Sequence, residues 1–174
     1  MMTLFLMALG ALAALLQVSL PFTYFPADAV FLVVVFSGLQ RGKGRGLLTG
    51  AFAGLILDSL SSPGIGPRLL ACAVVGALAD ALEGSVNREQ PRLQVLAVAC
   101  LSLTHDLAMA MTARALHMGQ GGWRHLVLHY VLPRLALHAL LAVPVFALFR
   151  IMVRAPVFQS PSMRPPRVIR KLPR

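Results

Sequence analysis

The chain has 174 residues, of which 57% are hydrophobic and only 13% charged. A soluble domain carries about a quarter charged residues, so that class is excluded, and this length holds five or six membrane helices of about 20 residues with no soluble domain beside them. The net charge of +10 comes from 16 Lys+Arg against 6 Asp+Glu, but seven of the basic residues lie at or beyond Arg150, so it describes the C-terminus and does not indicate nucleic-acid binding.

The first apolar segment, about residues 2–20, ends at Pro21. It has no Lys or Arg for the n-region of a signal peptide, and its only small-x-small run, Ala11-Leu12-Ala13, falls in mid-segment. A retained first helix is expected. The second apolar stretch, Ala27 to Leu39, is short for a perpendicular span, so it borrows flanking residues or lies where the membrane is thin. The third runs from about Gly46 to Leu60. Gly46, Gly50, Gly54 and Asp58 recur at every fourth position, which on a helix forms one stripe. Small residues at that spacing let a second helix backbone approach closely, and a carboxylate on the same stripe faces protein rather than lipid.

A turn built on Pro63, Gly64 and Gly66 leads to a fourth helix, from Pro67 to about Glu83. Arg68 at its start is placed to pair with Asp58 across the hairpin. Asp80 and Glu83, near Arg88 and Arg92 in sequence, read as a solvated ion cluster at the membrane interface. The fifth helix starts at Pro91 and continues to about His117, with Asp106 deep inside it. The piece from Trp123 to Tyr130 reads as interfacial, with an aromatic at each end. The sixth helix contains Leu132 to Val153, with Pro144 inside it as an expected kink. Arg134 and His138 share one face of this helix, at a depth similar to Asp106, so Asp106 is expected to pair with one of them. Adjacent His105 and Asp106 point about 100° apart and are not expected to pair. Cys72 and Cys100 are isolated in apolar stretches and read as buried small hydrophobes.

The topology follows from the basic residues. Arg41, Lys43, Arg45, Arg88, Arg92 and the seven from Arg150 onward fall on one side. Arg68, Arg114, Arg124 and Arg134 fall on the other. By the positive-inside rule both termini are cytoplasmic. The chain therefore reads as an all-α integral membrane protein: a six-helix transmembrane domain over 1–153, then a basic, Pro-rich cytoplasmic tail over 154–174. That tail, with Arg164, Arg167, Arg170, Lys171 and Arg174, suits anionic lipid or an acidic partner.

Other constellations are weak. Arg41 to Gly46 lacks the strand and the G-K-[ST] ending of a phosphate loop. His125 and His129 stand four apart without the Glu of H-E-x-x-H, and two ligands are too few for a metal site. No nucleophile–base–orienter arrangement is evident, so neither an enzyme nor a cofactor or metal is expected.

Over most of its length up to about Val153, and most strongly from Phe25 to Ala81, the chain resembles the bacterial rod shape-determining protein MreD family. The resemblance rests on FPADAVFLVVVFSGL, a basic turn and GAFAGLILDSLSSPGIGPRLLACAVVGAL. Gly50, Gly54, Asp58 and Gly66 fill the family's G-x-x-x-G-x-x-x-D helix and following glycine. Arg68, a carboxylate in the fifth helix (Asp106) and a proline in the sixth (Pro144) are similar too. The resemblance implies a non-enzymatic component of the cell-elongation machinery in the bacterial cytoplasmic membrane. Such proteins associate with the single-pass protein MreC and act with RodA, a class B penicillin-binding transpeptidase and the MreB cytoskeleton in lateral peptidoglycan synthesis. It also implies a fold similar to the substrate-binding subunits of energy-coupling-factor vitamin transporters, which makes a small-molecule binding subunit the competing expectation.

Overall fold

The computed structural model describes residues 2–19, 28–40, 43–60, 66–84, 86, 90–115, 125 and 127–153. Its elements are α1 (Met2–Ser19), α2 (Ala29–Gly38), α3 (Arg45–Leu60), α4 (Pro67–Leu82), α5 (Pro91–Ala115) and α6 (Leu132–Val153). A π-helical turn, Val127–Val131, runs directly into α6. No strand occurs among the described residues. The helix limits fall within a few residues of those expected from proline and charge positions. The tail residues Arg164, Arg167, Arg170, Lys171 and Arg174, together with Gly64 and Trp123, lie outside the described residues.

Among the described residues, three segments are long and apolar enough to cross a membrane: Met2–Ser19, Pro91–Thr112 and Val127–Met152. The other three helices are shorter, with 10 residues in α2 and 16 each in α3 and α4. α2 lies at the centre. Every residue from Val30 to Gly38 is buried, and the helix touches α1, α3, α4, α5 and α6. Its run of Val, Leu and Phe is apolar on all sides, as a helix surrounded by other helices requires. Phe36 packs against Phe146 and Phe149 of α6, with ring centroids 5.5 and 5.0 Å away, and so joins the centre to the last helix.

Around α2, α1 packs on α3, α3 on α4, α4 on α5 and α5 on α6. Large apolar side chains point outward all along these helices, including Leu4, Leu70, Leu96, Leu140 and Ile151 at 60% exposure or more. In water such a surface would drive aggregation; against lipid it is the expected exterior. α6 continues through Pro144 as one helix. Cys72 is buried, but Cys100 is exposed on α5, which corrects the expectation of two buried thiols.

Candidate functional site

The tightest part of the bundle is the antiparallel α3–α4 hairpin, and glycine is the reason. A Cβ added at Gly54 would stand 2.7 Å from the Arg68 carbonyl oxygen and 2.7 Å from Leu69 Cα. At Gly50 it would meet the Cys72 carbonyl, and at Gly46 the Gly76 carbonyl, closer still. Each step of four residues along α3 is thus a step of four back along α4. The two backbones touch over the whole length, as small-residue stripes permit. Gly38 of α2 joins at one end: its added Cβ would stand 3.0 Å from the Ala79 carbonyl carbon, and Gly38 Cα lies 2.6 Å from one added at Gly46.

A carboxylate closes each end of this hairpin. Asp58, buried near the end of α3, accepts from the backbone N–H groups of Gly66, Arg68 and Leu69 at 2.8, 3.2 and 2.9 Å. These are the orphan donors at the start of α4, which any buried helix terminus must satisfy. The contact between residues 58 and 68 was expected, but as an ion pair. The structure makes it through the Arg68 backbone, while the Arg68 guanidinium donates to the Leu57 carbonyl at 3.4 Å. At the other end, Asp80 of α4 accepts from Gly46 N–H at 2.9 Å and Leu47 N–H at 3.1 Å, the first donors of α3. This replaces the expected solvated role of Asp80. Each helix caps the other.

The reciprocity has a signal in the sequence. Gly46-x₃-Gly50-x₃-Gly54-x₃-Asp58 is echoed by Arg68-x₃-Cys72-x₃-Gly76-x₃-Asp80. Leu47, Leu48, Ala51, Gly54 and Asp58 recur as Leu69, Leu70, Ala73, Gly76 and Asp80. Comparing the two helices in that register would have singled out Asp80 and Gly76.

A second polar cluster lies where α2, α5 and α6 meet. Arg134 donates to Asp106 Oδ1 at 3.1 Å, so the expected pairing of α5 with α6 is present. Asp106 is 6% exposed and its Oδ2 has no partner among the described residues. His138 does not contact Asp106 directly. Its Nε2 accepts the Asp28 backbone N–H at 2.9 Å and its Nδ1 lies 2.8 Å from Ser102 Oγ. Because Nε2 accepts, the ring is neutral with its proton on Nδ1, and it donates to Ser102. Ser102 therefore receives a hydrogen bond and is not deprotonated by its histidine. The ring also stacks on Phe31, centroids 4.5 Å apart and planes 20° apart.

Asp28 is itself the N-cap of α2, its Oδ1 accepting from Phe31 N–H at 3.1 Å. His105 Nδ1 does reach Asp106 Oδ1, at 3.5 Å, contrary to the expectation from adjacent positions. That length is at the outer limit of a hydrogen bond. Sequence reasoning missed the contacts that Ser102 and the Asp28 N–H make with His138, because that partner lies on another helix. Gly66 has φ of 139°, a backbone that favours glycine, at the N-cap of α4.

Among the described residues no group of three or more His, Cys, Asp or Glu side chains is placed to hold a metal. A small cavity of about 20 Å³ lies between Phe36, Gln40, Gln94, Phe146 and Arg150, far smaller than the roughly 300–1,000 Å³ of small-molecule sites.

The family described as rod shape-determining protein MreD matches residues 1–155. The chain belongs to that family. No curated protein and no solved structure gives a significant match.

Proposed function

From membership of the MreD family, which ties the chain to the determination of rod shape, we propose that it is a non-enzymatic membrane scaffold of the bacterial cell-elongation complex. In this reading it crosses the cytoplasmic membrane six times, with both termini cytoplasmic. It binds MreC and acts with RodA, a class B penicillin-binding transpeptidase and MreB to support lateral peptidoglycan synthesis. The observation that best supports a scaffold is the α3–α4 hairpin. Its backbones touch through Gly46, Gly50, Gly54 and Gly76 and its ends are closed by Asp58 and Asp80. All five of Asp58 and Asp80's hydrogen-bond donors are backbone N–H groups of the facing helix or its cap. Such carboxylates set geometry; they are not positioned as acids or bases.

The Asp106–Arg134 pair and the His138–Ser102–Asp28 contacts play the same part between α5, α6 and α2. A partner's single helix would pack on the outer apolar surface of this rigid bundle, and the basic tail would lie on anionic lipid. The proposed similarity to energy-coupling-factor substrate-binding subunits concerns fold alone. Pull-down of the tagged chain from detergent-solubilised membranes tests the function. MreC in the eluate, and loss of rod shape on depletion, are the expected results. Tight retention of a vitamin by the purified chain, with no MreC, would replace the scaffold by a small-molecule binding subunit.

A further inference from the structure

The end of α2, the start of α5 and the end of α6 meet around the cavity of about 20 Å³. Three of its lining side chains carry N–H donors: Gln40, Gln94 and Arg150. Phe36 and Phe146 supply apolar walls, and none of the lining side chains is acidic. Gln40 and Gln94 are both buried. Arg150 reaches the cavity in a fixed pose. Its Nε donates to the Phe146 carbonyl at 3.3 Å and its Nη2 to Gln94 Oε1 at 3.1 Å. A guanidinium only donates, so the second bond orients the Gln94 amide: the oxygen faces Arg150, and the other polar end is an –NH₂ donor.

A wall of donors without an acid favours an oxygen that carries negative charge. A water-sized group needs about 10–15 Å³, so the cavity holds one such atom and no whole small molecule. Arg150 lies three residues before the end of α6, and Gln94 three after the start of α5. Both are thus about one helical turn from the helix ends, near headgroup level in a spanning bundle. The start of α5 adds to the field, because its first turn holds no acidic residue and a helix N-terminus carries partial positive charge. Arg92 in that turn is exposed. On the neighbouring turns Leu96 of α5 and Leu148 and Ile151 of α6 are more than half exposed, which offers apolar surface to acyl chains.

We propose that this cavity takes one phosphate oxygen of an anionic phospholipid, whose headgroup is seated between the ends of α2, α5 and α6. This rests on the six-span reading, which puts that end in the cytoplasmic leaflet, and goes beyond the scaffold role. Basic pockets between membrane helices on the cytoplasmic side suit such headgroups. The guanidinium fork matches phosphate geometry. A choline headgroup brings a cation that meets no carboxylate among the cavity's lining residues, so phosphatidylglycerol is favoured over phosphatidylcholine. The basic tail is attracted to any negative surface, whereas this is one site per chain.

Native mass spectrometry of the full chain, released from detergent micelles doped with equal amounts of phosphatidylglycerol and phosphatidylcholine, counts the retained lipids. The expected result is one phosphatidylglycerol per chain, preferred several-fold over phosphatidylcholine. Arg150→Gln should lower that retention several-fold. Arg150→Lys keeps the charge without the fork that holds Gln94; it should lose part of the retention, and it stands in if Arg150→Gln fails to fold. Arg167→Gln removes a tail charge and should retain lipid like the unmodified chain. Equal retention by the unmodified chain and both Arg150 variants, or no preference over phosphatidylcholine, overturns the proposal. Retention that falls as far with Arg167→Gln as with Arg150→Gln puts the lipid on the tail and overturns it too. Displacement of the lipid by an equal concentration of inorganic phosphate would make the ligand a soluble anion, against the proposal. All of these are read in detergent, so they leave the six-span reading and the scaffold role intact.

Discussion

Replacing Gly54 by alanine adds one methyl group where none fits. The new Cβ would lie 2.7 Å from the Arg68 carbonyl oxygen and from Leu69 Cα, whereas ordinary contact begins at 3.4 Å. Both neighbours are backbone, so no side chain can swing aside, and α3 and α4 must part by about 0.7 Å to reach that contact distance. Asp58 lies one turn further along the same face. Parting the helices by that much takes its 3.2 Å bond to Arg68 N–H beyond hydrogen-bonding range. Overpacking of about 1–3 kcal/mol and about 1 kcal/mol of weakened capping together destabilise the chain by about 2–4 kcal/mol. For a chain of this size that is a fall in Tm of about 4–16 °C.

The assay is thermal unfolding of purified protein in detergent, followed by reaction of a thiol dye with Cys72. That thiol is 2% exposed and its residue faces Gly50 across the helix pair. Cys100→Ala removes the other, exposed thiol. Gly84→Ala is the control, because a Cβ there meets nothing within 4 Å. If Gly54→Ala melts together with Gly84→Ala, backbone contact does not hold the hairpin together and the packing argument fails.

Asp58→Ala removes three capping bonds and Asp80→Ala two. Each should cost about 1–3 kcal/mol, the first more; the caps are about 24 Å apart along the 16-residue helices, so the losses should add in the double variant. Arg134→Met leaves the buried Asp106 carboxylate without its cation and should lower Tm more than the double variant Arg134→Met, Asp106→Leu, in which no charge is stranded. Equal melting of the two would show that the pair carries no buried charge cost. His138→Phe preserves the stack on Phe31 but strands Asp28 N–H and Ser102 Oγ. A loss of about 2–4 kcal/mol in the same thiol assay is expected. Gly66→Ala should cost about 1–3 kcal/mol through backbone strain alone, since its Cβ meets nothing within 4 Å.

What could be read from the residues was periodicity and punctuation. The stripe of Gly46, Gly50, Gly54 and Asp58 announced a close helix neighbour. The prolines at 67 and 91 marked helix starts within a residue of where they occur. Depth matching along antiparallel helices brought Asp106 to Arg134. What was not legible was which atom answers which. Asp58 looked like the partner of an arginine because charges are visible in a sequence and orphan N–H groups are not. Asp80 looked solvated because the donors it satisfies belong to Gly46 and Leu47, more than thirty residues earlier. His138 looked like an alternative partner for Asp106 because it shares a face of α6 with Arg134, at a similar depth. Its actual contacts, a backbone N–H and a hydroxyl, carry no sequence signature. The expectation for His105 and Asp106 failed because side-chain torsions can narrow a 100° separation to a marginal contact.

The burial of α2 bears on how the chain must be assembled. α2 leaves the ribosome before α3, α4, α5 and α6, and in the finished bundle its residues 30–38 are buried. The groups that satisfy its polar atoms arrive later: Thr49 for Ser37, and only with α6 His138 for the Asp28 N–H, 110 residues downstream. In the interval α2 has to be held by lipid or by the insertion machinery. Its run VFLVVVF suits that waiting period as much as the final packing. Polar substitutions that the closed bundle would tolerate, such as one beside Ser37, should therefore lower the yield of inserted protein before they lower the stability of the molecules that mature. α2 is selected twice, first by membrane and then by protein.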